Sequence, residues 1–410
     1  MMISLNFSKL LTCPKSISEI DFDDLKTDFE FKISESDKIS IENKLNRKSL
    51  TFYRDLSSTY EAAPLVLLNP LEWTKKNEWQ KINGSLEESI NLSVLHNAHV
   101  FGGRIRRRNS KFHEFSQLLL NSQYELSKNS YGILDGTKTL PSDLVKEIDG
   151  SLYLDFDTLS EPTILKGNYF FVGSIHRHFG HFLVEGLSRL WALDFIPTNI
   201  KDDIKYLVYE DSIPEFALQV LDILGIPLDK IVYAPKHAIV ERLFVPDISY
   251  KTHHWASHLA QLTYDKISNN VLPNSKPYKR IYLSRKNTAD RPLENEINIE
   301  KIFSSFGFEI ITPENLSIQE QIKVVSESLI IAGPVGSQMY LSAFSKSKSL
   351  IILAPNNFYL PDDLLLSSIR ESDITIGLGS GLDYSTPKDG RKWSIEEKII
   401  INILESLNYE

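Results

Sequence analysis

Leu329-Ile-Ile-Ala332, the loop Gly333-Pro-Val-Gly-Ser337 and, a short helical stretch later, Leu350-Ile-Ile-Leu353 set the reading of this chain. Each apolar run is brief and unbroken, without polar alternation. Strands buried on both faces of a parallel sheet read this way, whereas a half-exposed antiparallel strand alternates. Gln338 to Phe344 between them is predicted to be a helix. The pattern extends upstream. Arg280-Ile-Tyr-Leu-Ser284 reads as a strand, Ile299 to Phe306 as a helix and Phe308-Glu-Ile-Ile311 as a strand. Ser317-Ile-Gln-Glu320 is a capping box opening a helix to about Glu327. Downstream, Gly377-Leu-Gly-Ser-Gly381 is GxGxG rather than GxGxxG and reads as a loop. Ser394-Ile-Glu-Glu397 is predicted to cap a final helix that packs back on the body.

Pro273-Asn-Ser-Lys-Pro277 breaks the pattern and reads as a linker. Before it lies a second alternation. Tyr169-Phe-Phe-Val-Gly173, Lys205-Tyr-Leu-Val-Tyr209, Ile231-Val-Tyr233 and Leu243-Phe-Val245 are predicted strands. Gly180 to Phe195 is a predicted helix, with Leu183, Leu187 and Trp191 at i, i+4 and i+8. Pro214 to Leu224 and His253 to Ile267 are further helices, the first with Pro at its first turn. Residues 91 to 165 read as β-rich, with short apolar runs, a turn at Asp135-Gly136 and a strand at Leu152-Tyr-Leu-Asp-Phe156. Residues 1 to 90 are polar, mixed and weakly periodic.

The expected fold class is therefore α/β, with two Rossmann-like domains facing across a cleft. The expected divisions are an N-terminal extension of unclear fold over 1–90, a β-rich plus Rossmann-like domain over 91–272, a second Rossmann-like domain over 278–385, and a terminal helix over 386–410.

Composition narrows the function. The chain has 410 residues, 42% of them hydrophobic and 24% charged, in the range of a globular protein. With 45 Lys and Arg against 54 Asp and Glu, the net charge is −9. A nucleic-acid binder needs a surplus of cations, so none is expected as a partner. Cys13 is alone, which excludes an internal disulfide framework. The N-terminus lacks a basic start, its apolar run is broken by Asn6, Ser8 and Lys9, and no run of about 18 apolar residues occurs. The expectation is a cytoplasmic protein. Arg104-Ile-Arg-Arg-Arg108 with Lys111 suits peripheral contact with anionic lipid, or is simply an exposed hairpin.

Three constellations carry candidate chemistry. The first is Ser174-Ile-His-Arg-His-Phe-Gly-His181 with Glu185 and Arg189, where a strand ends and a helix begins. Open α/β sheets bind ligands at that edge. His181 and Glu185 share a helix face, and Arg189 continues the stripe. A carboxylate beside an imidazole makes a general base suited to deprotonating a hydroxyl. His176 and His178 complete the group as acceptor or cleft residues. A metal is not expected, because the HxHxDH pattern needs Asp at Gly180 and no later ligand cluster supports it. The second constellation is Ser284-Arg285 with Arg291, Asn295 and Glu296. Two guanidinium groups at the sheet's ligand edge suit a diphosphate. The third is the Gly333–Ser337 loop, where Gly336 lets a ligand approach the backbone at a helix start and Ser337 follows. The DxD matches at Asp21-Phe-Asp23 and Asp155-Phe-Asp157 read as chance, since neither follows a nucleotide-binding βαβ unit. Trp255, beside His253 and His254, reads as a buried aromatic at a helix start rather than a cleft residue.

In this order the constellations resemble glycosyltransferase family 61, which includes many bacterial capsule-biosynthesis proteins. The matching residues are Gly180-His181-Phe182, Glu185, Arg189-Leu190, Ser284-Arg285, Arg291, Asn295-Glu296, Glu320-Gln321, Gly333-Pro334, Gly336 and Ser337. They span about residues 167 to 355. The family often has His where this chain has Val335. The resemblance implies a GT-B-like architecture and an inverting transfer from a nucleotide-sugar, by analogy a UDP-sugar. It implies no cofactor or metal, and a polysaccharide or lipid-linked glycan hydroxyl as acceptor. The role of base falls to Glu185 with His181 orienting, or to the reverse. Two other readings stand beside it: a nucleotide-sugar epimerase or hydrolase, and an inactive glycan-binding subunit.

Overall fold

The computed structural model describes residues 2–4, 6, 8–13, 27–34, 38–40, 50–55, 62–64, 89–102, 118–130, 145–149, 151–155, 157, 161–175, 177–209, 212–253, 255–358, 360–387 and 390–407. Among the sequence expectations, Asp21-Phe-Asp23, the Arg104–Arg108 cluster, the Asp135-Gly136 turn, His176 and His254 lie outside these residues. The chain is mixed α/β and forms two compact units, Met1–Asp37 with Ile82–Tyr250, and Lys38–Lys81 with Lys251–Glu410.

In the first unit the main sheet runs Ile231–Tyr233, Lys205–Val208, Thr163–Gly173, Ala238–Pro246, Ile90–Phe101, Phe29–Ser34 and Leu11–Thr12. Its first four strands are mutually parallel. Ile90–Phe101 is a single strand antiparallel to Ala238–Pro246, with Leu95 opposite Leu243. Leu95, Val100, Phe171, Leu207, Val240 and Val245 fill one core.

In the second unit the sheet order is Glu309–Ile311, Lys279–Leu283, Ser328–Pro334, Ser349–Pro355, Asp373–Gly379, Leu50–Asp55 and Ala62–Pro64, the first six parallel. Counted from Lys279–Leu283, the five C-terminal strands have the doubly wound order 2-1-3-4-5. In such a sheet the ligand crevice lies outside the strand ends where the order reverses, here between Lys279–Leu283 and Ser328–Pro334. The all-Ile/Leu runs behave as their composition requires: Leu350 to Ala354 are at most 1% exposed. Helix Glu397–Ser406 lays Ile399, Ile400, Ile403 and Leu404 into the core of this unit with Tyr53, Leu353 and Trp393. Each such side chain contributes about 1.5–3 kcal/mol through burial.

The described strands before residue 90 are built into the sheets of the two units. Phe29–Ser34 pairs with Ile90–Phe101, while Leu50–Asp55 pairs with Asp373–Gly379, placing Tyr53 opposite Gly377. Those partners lie far along the chain, so no local pattern reveals them.

Several local expectations differ. The Gly180–Phe195 helix is broken into one turn at Phe179–His181, a π-helical turn at Phe182–Gly186 and a 3₁₀ segment at Leu190–Phe195. Gly186 permits this, because a Cβ there would lie 2.8 Å from the Phe182 ring. The predicted helix from His253 starts only at Leu259, since Trp255–Ser257 is a strand paired with Lys38–Ser40. Gly377 and Gly379 lie in the Asp373–Gly379 strand rather than a loop. A Cβ on Gly379 would lie 2.2 Å from the Ser394 carbonyl oxygen, so a bare backbone is needed there. Ser394 exchanges backbone and hydroxyl hydrogen bonds with Ser380 instead of capping, and Glu396 is the N-cap of the last helix. The Ser317–Glu320 capping box forms as read, with both reciprocal bonds.

Candidate active site

The first cluster sits where Thr163–Gly173 gives way to the broken helix. His181 Nδ1 lies 2.8 Å from Glu185 Oε2. The imidazole is 45% exposed and the carboxylate 18%, so the acid supports the ring from beneath. His178 is exposed and meets His181 edge-on, centroids 5.2 Å apart. The π-helical turn, closed by Leu187 N–H donating to the Phe182 carbonyl, carries Glu185. Such turns recur at functional sites because they re-aim side chains that a regular helix would stack.

The stripe does not continue to Arg189. The extra residue in the π turn rotates the chain, and Arg189 is 6% exposed. Its guanidinium bonds Asn129 Oδ1 and the Pro246 carbonyl and lies over the Phe171 ring. Asn129 in turn bonds Asp247, which pairs with Lys128. Arg189 thus ties the broken helix to the sheet.

The second cluster occupies the switch point of the C-terminal sheet. Lys279–Leu283 ends in Ser284-Arg285, and Ser328–Pro334 ends in Val335-Gly336. Arg285 is 7% exposed and donates from Nη1 to the Val335 carbonyl and from Nη2 to that of Asp290. A Cβ on Gly336 would fall 1.8 Å from Arg285 Nη1, so the guanidinium packs directly on this glycine. Burial, then the neighbouring charge of Arg291, holds the Arg285 pKa below its ordinary value. Arg291 pairs with Asp290 at 2.6 Å and stacks on Phe358 at 4.3 Å. Its Nε is buried without a hydrogen-bond partner among the described residues. Two crowded guanidinium groups, one with an unmatched donor, are what an anion would relieve.

Glu296 supports Arg285 from behind. Its Oε1 accepts the Arg285 backbone N–H at 2.6 Å and the Tyr282 hydroxyl at 3.4 Å. At 2% exposure, burial pushes its pKa up to about 7. Asn295 bonds both backbone groups of Ile395, fastening the start of helix Glu296–Ser305 to the C-terminal segment. Ser337 opens the 3₁₀ helix Ser337–Phe344 and is half-buried. Val335 is 2% exposed, and its backbone bonds the Leu353 carbonyl and Arg285. The loop therefore holds Arg285 through a carbonyl that any residue at position 335 supplies.

One further group had no local signal in the sequence: His253, Tyr340 and Asp362, drawn together from distant positions.

Residues 179–352 match the family described as Glycosyltransferase 61. The matched residues include His181, Glu185 and both arginines of the second cluster but not His178, and they reach the strand beside the switch point. No curated protein matches the chain in sequence. Among solved structures, the bacterial iron-containing dodecameric glycosyltransferase TibC from enterotoxigenic E. coli H10407 aligns at 10% identity over 66% of this chain and 78% of its own, with a TM-score of 0.26. Dodecameric iron-containing heptosyltransferase TibC in complex with ADP-D-β-D-heptose aligns at 9% identity over the same shares, with a TM-score of 0.25. Scores this low do not establish a shared fold, and the glycosyltransferase 61 match alone bears on the chemistry. No helix among the described residues is long and apolar enough to cross a membrane.

Proposed function

We propose that this chain is an inverting, metal-independent glycosyltransferase of GT-B type. It moves a sugar from a nucleotide-sugar, a UDP-sugar first among candidates, to a hydroxyl of a polysaccharide or lipid-linked glycan. Capsule or other surface-polysaccharide synthesis at the cytoplasmic face of a membrane is the setting that fits this chemistry. The observation that carries the reading is the His181–Glu185 pair, an exposed imidazole on a half-buried carboxylate, within the stretch that matches Glycosyltransferase 61.

Glu185 accepts a hydrogen bond from the Nδ1–H of His181, which leaves Nε2 as the base for the acceptor hydroxyl. As that proton leaves, the acceptor oxygen bonds the anomeric carbon from the face opposite the diphosphate, whose oxygen departs with the bonding pair. A single displacement inverts the centre. Arg285, Arg291 and the backbone N–H groups after Gly336 take up the negative charge that develops on the leaving diphosphate. His178 lines the acceptor side of the same cluster, and Arg189 holds its scaffold.

A panel of nucleotide-sugars tested by thermal shift identifies the donor, since a ligand at about 100 times its dissociation constant adds about 2.7 kcal/mol. Product analysis with an acceptor then follows. Donor consumption that is independent of acceptor would replace transfer by hydrolysis or epimerisation. No shift with any nucleotide-sugar would remove the reading.

A further inference from the structure

Arg291 has a left-handed backbone at φ 53°, and Pro292 follows it. A Cβ disfavours that region, and a residue before proline is ordinarily extended. Strain of this kind persists only where the surroundings over-determine it, and it gathers at binding sites. Here the surroundings come from the C-terminal part of the chain. Trp393 is 1% exposed and donates from Nε1 to the Arg291 carbonyl at 3.1 Å. Backbone bonds lace the same two segments together. The Trp393 N–H donates to the Pro292 carbonyl at 3.3 Å, and the Glu294 N–H donates to the Trp393 carbonyl at 2.8 Å. Asn295 extends the ladder by one step, to Ile395.

The indole is itself seated on the sheet. A Cβ on Gly379 would lie 3.0 Å from Trp393 Cε3, so the ring rests on the bare backbone at the end of strand Asp373–Gly379. Ser394, the next residue, is bonded twice to Ser380. At the other end of Arg291 the guanidinium lies between Asp290 and the Phe358 ring. Its buried Nε has no partner among the described residues. A guanidinium held in place short of its acceptors is preorganised for an anion. Trp393 lies outside residues 179–352, so the family match assigns it nothing.

We propose that Trp393 is a positioning residue for donor binding: its indole N–H holds the Arg291 backbone left-handed and so keeps the guanidinium ready for the diphosphate of the nucleotide. This rests on the nucleotide-sugar reading of the two-arginine site. Trp393 acts through Arg291 and touches no ligand. Its contribution is to remove the cost of ordering the arginine on binding.

The alternative is an indole that only fills the core. Trp393→Phe keeps an aromatic ring over Gly379 and removes the N–H, so both readings expect a lower melting temperature. Nucleotide affinity separates them, read as a double-mutant cycle with Arg291→Ala. UDP, then ADP, GDP and CDP, are titrated calorimetrically into the full chain as wild type, each single variant and the double variant. Each single variant is expected to bind its nucleotide roughly tenfold or more weakly, and the double variant no more weakly than Arg291→Ala alone. Wild-type affinity in Trp393→Phe, or a further loss on top of Arg291→Ala, would overturn the role of Trp393 and leave the two-arginine site standing. A wild type that binds none of the four would overturn both. If the Phe variant does not fold, Trp393→Tyr is titrated in its place and read by the same outcomes.

Discussion

At Gly336 the angle φ is 163°, extended backbone open to any residue, so its constraint is purely steric. A methyl group there would collide with Arg285 Nη1 and crowd Gln338 Oε1. Gly336→Ala is expected to displace the guanidinium, lower stability by about 1–3 kcal/mol and weaken nucleoside diphosphate binding at least about tenfold, measured by melting and titration side by side. Glu296 makes a prediction in pH. Folded, it keeps its proton up to about pH 7, whereas unfolded it releases it near the ordinary 4.5. Its contribution to stability is therefore present below pH 4.5 and lost as pH rises through 7. Glu296→Gln keeps the acceptor for the Arg285 N–H without the buried charge. It should raise stability at pH 8 by up to about 3 kcal/mol and change little near pH 4; a melting series across pH checks this. The residue types of this site were legible in the sequence. Their division of labour was not, because Glu296 and Asn295 face backbone groups that only the fold brings near, and the network of His253 with Asp362 bridges 109 positions.

Among the elements, the capping box was readable because both partners lie within four residues. Ser317 accepts the Glu320 N–H and Glu320 accepts the Ser317 N–H. Ser317→Ala is expected to cost about 1 kcal/mol, seen as a lower melting temperature with turnover unchanged. The helix after Gly180 was not readable in the same way. A 3.6-residue period places His181, Glu185 and Arg189 on one stripe, but the π turn at Phe182–Gly186 inserts a residue and sends Arg189 inward. The signal available was Gly186 four residues after Phe182, where a regular helix has no need of a glycine. The GxGxG stretch misled for a related reason. A glycine-rich strand looks like a loop until the packing neighbours of Gly377 and Gly379 are known.

At the scale of the whole molecule, alternation of strands and helices gave the α/β class and the parallel sheets, since consecutive elements pair locally. It did not give the contribution of the described strands before residue 82, which join the sheets of both units by pairing Phe29 with Val94 and Leu50 with Ile374, far outside any local pattern. The switch-point placement of Arg285 and Gly336 follows from strand order, which no single motif encodes. The most direct measurement is the rate of sugar transfer by wild type and Glu185→Gln in the presence of EDTA, using the donor that binds. The account predicts full wild-type activity in chelator and a fall of about 10² to 10⁴ in the variant, with nucleotide affinity retained. Activity lost on chelation, or a variant as fast as the wild type, would contradict it.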